Sequence, residues 1–285
     1  MWRFLLSATL LFPNVSIPQR SDALLRLAVV GDVGKGTEKV AAGIAAVNAR
    51  TPLDAIVLTG DSFYPCTVTS PTDPRWSIVR PLSALGLPIY PVFGNHDYCP
   101  GSHPEVQLNA PLPHWIFPAR QYTGTSKLAD FVFLDTTPFA AGWEVTSVPH
   151  ALRTGFPTIP GRWRIAVGHH IVVSSGWHGR FPRREHAQMV ELLATLKETK
   201  VALYFCGHDH HLEMLDTRPR IVVSGAGSAP VPPVARRPKT VWPDDPIRTI
   251  GFAMVELTAE KLTVRFYDGE GKALSRALTF LKSAE

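Results

Sequence analysis

Residues 55–64 read AIVLTGDSFY, an apolar run that ends in a glycine and two potential metal ligands. The run Ala55-Ile56-Val57-Leu58-Thr59 predicts a fully buried strand. Gly60 lets the backbone turn sharply where that strand ends. The turn places Asp61 beyond the carboxyl end of the strand, where open α/β sheets hold their ligands.

Asp61 and Tyr64 together indicate a metal site. A carboxylate can bridge two metal ions, and a phenol can join it if a strongly acidic metal removes the phenol proton. The stretch therefore predicts Asp61 as a bridging ligand and Tyr64 as a ligand of ferric iron. An ordinary strand-to-loop turn is the alternative for so short a motif.

Four other apolar runs end in the same way, in a glycine followed by a residue that can bind a metal ion. The residues that follow these glycines are Asp32, Asn95, His169 and His208. One such turn means little, but five on separate strands predict ligands that meet at one end of a sheet. Their oxygen and imidazole donors favour hard or borderline ions over copper(I) or an iron–sulfur cluster.

The order of the apolar runs predicts an α/β protein. Strand–helix–strand units come first, with a strand at 25–30 and a helix from Thr37 that places Val40, Ile44 and Val47 on one face. Short strands joined by turns come last. Residues 100–127, 136–162 and 225–246 are predicted to be irregular. The helix before the strand that starts at Arg164 is expected to be short or missing.

The length of 285 residues fits one large domain or two small ones, and the formal charge of +5 favours an anionic substrate. That charge is too dispersed to predict nucleic acid as a partner. Residues 1–23 have the pattern of a secretory signal peptide, with cleavage after Ala23, or form a disordered leader. The apolar run in them is too short to span a bilayer, so no stable membrane insertion is expected. Residues 24–285 are then a single domain of an exported protein, periplasmic or secreted, whose oligomeric state the sequence leaves open.

The chain has three cysteines. Cys206 ends an apolar run and is most simply a buried thiol. Cys66 and Cys99 each lie just past a metal-type motif, and export would permit a disulfide between them.

The motifs GDVG, GDSFY, GNHDY, GHH and GHDHH, taken in this order, resemble those of the calcineurin-like metallophosphoesterase superfamily. The tyrosine of GDSFY narrows the resemblance to the small purple acid phosphatases of the tartrate-resistant type, because serine/threonine protein phosphatases of the superfamily lack it. The likeness runs from about Leu25 to the carboxyl end. It implies a four-layer α/β/β/α sandwich of two mixed sheets, with the metals at the strand ends.

The resemblance also implies two ligand sets that share the bridging aspartate. Ferric iron would be held by Asp32, Asp61, Tyr64 and His210. The second ion, which can be iron(II), zinc or manganese, would be held by Asp61, Asn95, His169 and His208. The chain departs from the family in lacking a tryptophan after the first GD and in having His170 and Ile171 in place of an aromatic–proline pair.

By this resemblance the chain is an acid phosphatase that hydrolyses small phosphate monoesters via metal-bound hydroxide. His96 would contact the phosphate and the leaving oxygen, Asp97 would orient its ring, and His178 would lie on the substrate side. Either histidine can serve as the general acid, although a plain loop histidine is the alternative for His178. A phosphodiesterase or nucleotide hydrolase using manganese or zinc is the second interpretation, and a non-catalytic binding scaffold of the same fold is a remote third.

Overall fold

Two mixed β-sheets with helices outside them make up the fold. The computed structural model describes residues 12–157, 159–179, 186–234, 237, 239–242 and 249–282. In chain order the strands are β1 (Asn14–Ser16), β2 (Leu25–Val30), β3 (Ala55–Leu58), β4 (Ile89–Pro91), β5 (Tyr122–Thr125), β6 (Ala129–Phe133), β7 (Trp163–Val167), β8 (Leu203–Cys206), β9 (Leu212–Leu215), β10 (Arg220–Ser224), β11 (Thr240–Trp242), β12 (Gly251–Leu257), β13 (Lys261–Asp268) and β14 (Leu278–Leu281). The α-helices are α1 (Thr37–Arg50), α2 (Arg80–Ser83), α3 (Thr137–Ala140), α4 (Ser147–Gly155) and α5 (His186–Glu198), and 3₁₀ turns occupy Pro74–Ile78, Asn95–Tyr98 and Pro104–Asn109.

The larger sheet has the strand order β1-β5-β6-β7-β8-β10-β9-β11, and the smaller sheet has the order β14-β13-β12-β2-β3-β4. Apolar residues of the two inner faces form one core, which includes Val57 of the smaller sheet and Ile165 of the larger. A second core lies between the smaller sheet and the Ile44 face of α1. A third lies between the larger sheet and the Leu192 face of α5. The expected four-layer α/β/β/α sandwich is confirmed.

Parallel pairing positions the site. In the smaller sheet β2, β3 and β4 run parallel, and in the larger sheet β7, β8 and β10 do so. Their residues are buried on both faces, which explains why each strand reads as an apolar run rather than as an alternating pattern. The carboxyl ends of parallel strands meet at one edge of each sheet, so the residues that follow them come together.

The prediction of irregular structure at 100–127, 136–162 and 225–246 is wrong in part. Those segments contain β5, the helices α3 and α4, and β11. The sequence Tyr122-Thr123-Gly124-Thr125 has no apolar run, because only alternate residues face the core. The helix α4 carries Pro149 in its first turn, where proline is tolerated, and it buries Val148 and Leu152.

The segment before residue 24 joins the fold over its described part. β1 pairs in parallel with β5, Ile17 is buried, and the Ser16 carbonyl accepts a hydrogen bond of 2.7 Å from the Tyr90 hydroxyl. A cut after Ala23 would remove this edge strand. The leader at 1–23 stays a prediction, and its residues 1–11 lie outside the described residues. Among the residues that are described, no helix is long and apolar enough to cross a bilayer.

Cys66 and Cys99 form a disulfide, as the sequence allows, with a Cα–Cα distance of 5.8 Å across 33 residues of chain. Cys206 is a buried free thiol, which is also confirmed. The disulfide joins the loop after β3 to the loop after β4, so it ties the segment that carries Tyr64 to the one that carries His96.

We expect the double variant Cys66→Ser/Cys99→Ser to lower the free energy of unfolding by about 3–4 kcal/mol, because a closed loop of this length restricts the unfolded chain. Urea unfolding of the oxidised protein and of the variant measures the difference. The unaltered protein in reductant is the control and should unfold like the variant. Equal unfolding midpoints with and without reductant would contradict the expectation.

Candidate metal centre

The predicted ligands come from both sheets and meet where the two sheets face each other. Asp32, Asp61 and Asn95 follow β2, β3 and β4 of the smaller sheet, whereas His169 and the pair His208 and His210 follow β7 and β8 of the larger. Ligand atoms of Asp32, Asp61 and His169 all lie within 4.8 Å of one another, and the three side chains are buried. The structure therefore brings the predicted ligands together.

One half of the centre surrounds the Tyr64 hydroxyl. That oxygen lies 3.2 Å from Asp32 Oδ1, 3.1 Å from Asp61 Oδ2 and 3.2 Å from His210 Nε2. His210 Nδ1 is 3.1 Å from the Ala229 carbonyl. A carbonyl can only accept, so Nδ1 carries a proton and Nε2 is the ring nitrogen that faces the centre.

The other half surrounds His169 Nε2. That nitrogen lies 2.9 Å from Asn95 Oδ1, 3.1 Å from His208 Nδ1 and 3.4 Å from Asp61 Oδ2. His169 Nδ1 is 2.9 Å from the Thr59 carbonyl and donates to it. This hydrogen bond leaves Nε2 as the ring nitrogen that faces the centre and can bind a metal ion.

Asp61 Oδ2 is the atom that both halves share, since it lies near Tyr64 in one and His169 in the other. The second oxygen, Oδ1, accepts a 2.9 Å hydrogen bond from the His96 amide, which fixes the orientation of the carboxylate. This position matches the bridging role predicted for Asp61.

The donor atoms converge on one small volume. Asn95 Oδ1 and a ring nitrogen of His208 lie 2.9 Å and 3.1 Å from His169 Nε2, and two carboxylates lie beside them. Such a buried cluster of oxygen and nitrogen donors is what a cation requires. The residues present thus fit a pair of bound metal ions.

Backbone strain marks the same residues. Only five described non-glycine residues have positive φ, and three of them are Asp32 (56°), Asp61 (49°) and His208 (67°). The left-handed conformation costs a residue with a Cβ about 1–2 kcal/mol. Its concentration at three predicted ligands is typical of a functional site.

The electrostatics of the protein groups alone oppose ionisation of Tyr64. Burial, followed by the charges of Asp32 and Asp61, raises the pKa of its phenol. Burial also raises the pKa of Asp61 and lowers that of His208. Burial lowers the pKa of His210, but the hydrogen bond and charge of Asp32 outweigh it and raise that pKa to about 9. A cation of high charge at the centre would reverse the penalty on the phenolate.

His96 lies at the rim of this centre and Asp97 beneath it. The His96 ring is 4.5 Å from the Tyr64 ring between centroids, and its Nδ1 donates to the Pro65 carbonyl at 2.7 Å. In the described residues the Asp97 carboxylate instead accepts from the Gly94 amide at 2.8 Å and from Gln107 at 2.5 Å. Burial raises the pKa of Asp97 to about 7. Asp97 thus supports the loop that carries Asn95 and His96.

His178 reaches the opposite rim, with its ring 3.8 Å from the ring of His208 between centroids. Asp209, which was not among the predicted site residues, holds it there. Asp209 accepts from the His178 amide at 3.0 Å and from the Ser174 hydroxyl at 2.7 Å. No residue spacing predicts this role of Asp209. Its position between two predicted ligands in Gly207-His208-Asp209-His210 is a sequence signal that could have indicated it.

The comparisons with known proteins agree with this geometry. The family model "Calcineurin-like phosphoesterase" matches residues 25–212. "Purple acid phosphatase 17" of Arabidopsis thaliana is 30% identical over 302 residues, which cover 92% of this chain and 86% of the relative. "Tartrate-resistant acid phosphatase type 5" of Sus scrofa is 26% identical over 88% of this chain and 85% of its own. The resemblance stated from the motifs is therefore confirmed.

A solved structure shows the same fold. "GAP50 the anchor in the inner membrane complex of Plasmodium" superposes with a TM-score of 0.76 at 21% identity, and the match covers 92% of this chain and 90% of that one. At this identity the likeness concerns the fold alone.

Proposed function

Because the chain belongs to the calcineurin-like phosphoesterase family, we propose that it is a binuclear metal-dependent acid phosphatase that hydrolyses small phosphate monoesters. The observation that supports this most is Asp61 Oδ2, which lies 3.1 Å from the Tyr64 hydroxyl and 3.4 Å from His169 Nε2. A single oxygen between two sets of donors suits a carboxylate shared by two cations. Two bound metal ions would neutralise charge on the phosphoryl oxygens and make water a nucleophile near neutral pH.

Asp32, Asp61, Tyr64 and His210 are the residues that would hold ferric iron. Asp61, Asn95, His169 and His208 would hold iron(II), zinc or manganese. The phenol supports iron at the first position, because Fe(III) ionises a phenol far more readily than a divalent ion does. The carboxylate, amide and imidazole donors of the two ligand sets suit hard or borderline metals.

A comparison of p-nitrophenyl phosphate with bis(p-nitrophenyl) phosphate tests the monoester assignment. We expect the protein, purified with its native metals, to show the higher kcat/KM for the monoester and to be most active at acidic pH. A higher kcat/KM for the diester, restored by manganese or zinc alone, would replace the proposal with a phosphodiesterase or nucleotide hydrolase.

Replacement of Tyr64 by phenylalanine should abolish visible colour. A phenolate bound to ferric iron gives a charge-transfer absorption, so we expect the unaltered protein to be pink or purple and the variant to be bleached. Visible spectra with elemental analysis of both proteins measure this. Tyr90→Phe is the control, because Tyr90 is also buried but bonds the Ser16 carbonyl, and it should keep the colour. A colourless native protein that contains no iron would refute ferric iron at this position.

His96 and His178 are the two proposed donors of the leaving-group proton. The Nδ1 of His96 is engaged with the Pro65 carbonyl, so its Nε2 can hold and release a proton. We expect His96→Ala or His178→Ala to lower kcat for an alkyl phosphate by about 10²-fold. The loss should be much smaller for p-nitrophenyl phosphate, whose leaving group departs without a proton.

His150→Ala is a suitable control for this comparison, because His150 is exposed on α4. Equal losses on both substrates would assign the two histidines to phosphate binding instead of proton donation. Full activity of both variants on the alkyl phosphate would refute both roles.

A scaffold function is a weaker candidate. One protein of the same fold is described as an anchor, so the fold by itself does not establish catalysis. This chain has kept donors at every predicted ligand position and holds them within contact distance of one another. A scaffold would gain nothing from strained backbone at Asp32, Asp61 and His208, so hydrolysis is the better proposal.

Export is proposed on the basis of the Cys66–Cys99 disulfide, since such bonds persist in oxidising compartments. Sequencing the amino terminus of the protein recovered from the periplasm or the medium tests both export and the predicted cleavage after Ala23. Recovery of the protein solely from the cytoplasm with both thiols reduced would contradict export.

A further inference from the structure

A basic groove lies at the edge of the larger sheet that is opposite the metal centre. It is a cavity of about 460 Å³ lined by residues 162–164, 197, 200–202, 217–220 and 282, and we call it the amino-edge groove. Small-molecule sites commonly have about 300–1,000 Å³. Because β7, β8 and β10 are parallel, their amino ends form this edge while β7 and β8 deliver His169 and His208 at the other.

Two lysines from the end of α5 bring positive charge to the groove. Lys197 and Lys200 are exposed, and in the described part of the chain neither ammonium group has an ion pair or a hydrogen bond. The carboxyl end of a helix carries only about half a negative charge. Its Thr199 carbonyl, moreover, already accepts a 3.0 Å hydrogen bond from Arg164.

The strand ends supply arginines that keep free donors. Arg162 pairs with Asp130 at 2.9 Å, and Arg220 pairs with Asp216 at 3.0 Å. A guanidinium has five N–H donors, so one carboxylate leaves most of them for a ligand.

Arg218 and Lys282 raise the number of cationic side chains that line the groove to seven. Among the described residues no aspartate or glutamate lines it. The nearby Asp130 and Asp216 offset two of the seven charges, so a net excess of about five remains. Charge of one sign gathered in a concave surface raises the local concentration of an oppositely charged ligand.

The floor of the groove is apolar. Trp163, Val201 and Pro219 line it and are buried. The Lys282 ammonium lies 5.0 Å from the centroid of the Trp163 ring, a cation–π contact that holds charge beside an apolar surface. A ligand that matches this surface has both anionic groups and an apolar body.

We propose that the amino-edge groove binds a small anion that carries two or more phosphoryl groups on an apolar body, with the chemistry of a nucleoside diphosphate. A single phosphate would engage only a part of seven cations, whereas a diphosphate can take bidentate hydrogen bonds from an arginine and the charge of a lysine together. This site is separate from the proposed hydrolysis. β8, whose four residues span about 13 Å, separates it from the centre, and no predicted metal ligand lines it.

Fluorescence anisotropy of 8-methoxypyrene-1,3,6-trisulfonate with the metal-loaded, full-length protein tests the proposal. The sulfonates mimic phosphoryl charge and a phosphatase cannot cleave them. The test variant is Lys197→Ala/Lys200→Ala. The matched control is Lys272→Ala/Arg276→Ala, which removes the same charge from two exposed residues that do not line the groove. The competitors are α,β-methylene-ADP, whose P–C–P bridge resists hydrolysis, and adenosine.

We expect the test variant to raise the Kd of the probe about tenfold or more and the control variant to leave it nearly unchanged. α,β-Methylene-ADP should displace the probe and adenosine should not. Hydrolysis of p-nitrophenyl phosphate should be unaffected by either double variant or by the bound probe. Equal weakening in the two variants, competitive inhibition of hydrolysis by the probe, or no binding of the probe at low salt would each overturn the proposal.

Discussion

Replacing Asp61 by asparagine should leave a folded protein that hydrolyses phosphate monoesters about 10³-fold more slowly, since losing a metal clamp worth several kcal/mol of transition-state stabilisation has this effect on rate. Asp61 Oδ2 lies between the two sets of donors. An amide is neutral and can present only one oxygen, so it cannot offset the charge of two cations. We therefore expect less than two equivalents of metal per chain in the variant.

The measurement is kcat/KM for p-nitrophenyl phosphate together with metal content by elemental analysis. Asp54→Asn is the control. Asp54 is also a buried carboxylate, but it accepts hydrogen bonds from the Arg20 and Arg26 amides far from the centre. It should keep both metals and its activity. If Asp61→Asn retained two metals and more than about a tenth of the activity, the bridging role would be wrong.

Replacing Gly94 by alanine should lower activity about 10²-fold, because a displacement of about 1 Å at a reacting centre can cost that much. A Cβ at Gly94 would lie 2.1 Å from Asp61 Oδ1 and 2.5 Å from the Asp61 amide nitrogen. Gly94 itself has a φ of −115°, which any residue can adopt, so the clash alone is responsible. Asp61 would have to move, and with it the position of its shared oxygen.

Gly101→Ala separates this clash from the cost of strained backbone. Gly101 has a φ of +76°, and in the described part of the chain no atom outside Gly101 and its two chain neighbours lies within 4 Å of the place that an added Cβ would take. Its replacement therefore costs about 1–2 kcal/mol of stability but should leave activity intact. Thermal unfolding and kcat/KM of both variants make the comparison. Unchanged activity in Gly94→Ala would show that Asp61 has room to move without consequence for the chemistry.

The strands that could be predicted are those buried on both faces, because such strands appear in the sequence as continuous apolar runs. β2 and β3 are such strands, with every or nearly every residue buried, and their ligands follow directly in the sequence. β5 could not be predicted from an apolar run, because only Tyr122 and Gly124 of its four residues face the core. α4 was not predicted, because it is stabilised by the burial of a narrow face and not by residues of high helix propensity.

The candidate ligands were predictable because six of the seven follow a strand by two to four residues. The hydrogen bonds that orient those ligands could not be predicted. Their acceptors are backbone carbonyls, such as those of Thr59 and Ala229, which every residue type has. For the contact that Asp97 makes, the sequence did contain a signal. Gly94 and Asp97 are spaced as the first and fourth positions of a capping box, and that spacing indicates the Asp97 contact with the Gly94 amide better than its adjacency to His96 does.

The division of the ligands between the two sheets has a consequence for how the protein matures. Each sheet supplies only a part of the donors: Asp32 and Asp61 follow strands of the smaller sheet, and His169 and His208 follow strands of the larger. Neither pair makes a complete coordination sphere by itself. A folding intermediate with only one sheet formed would offer a cation half its donors. Capture of two metal ions would therefore follow the docking of the sheets, and the bound ions would then join those sheets from within.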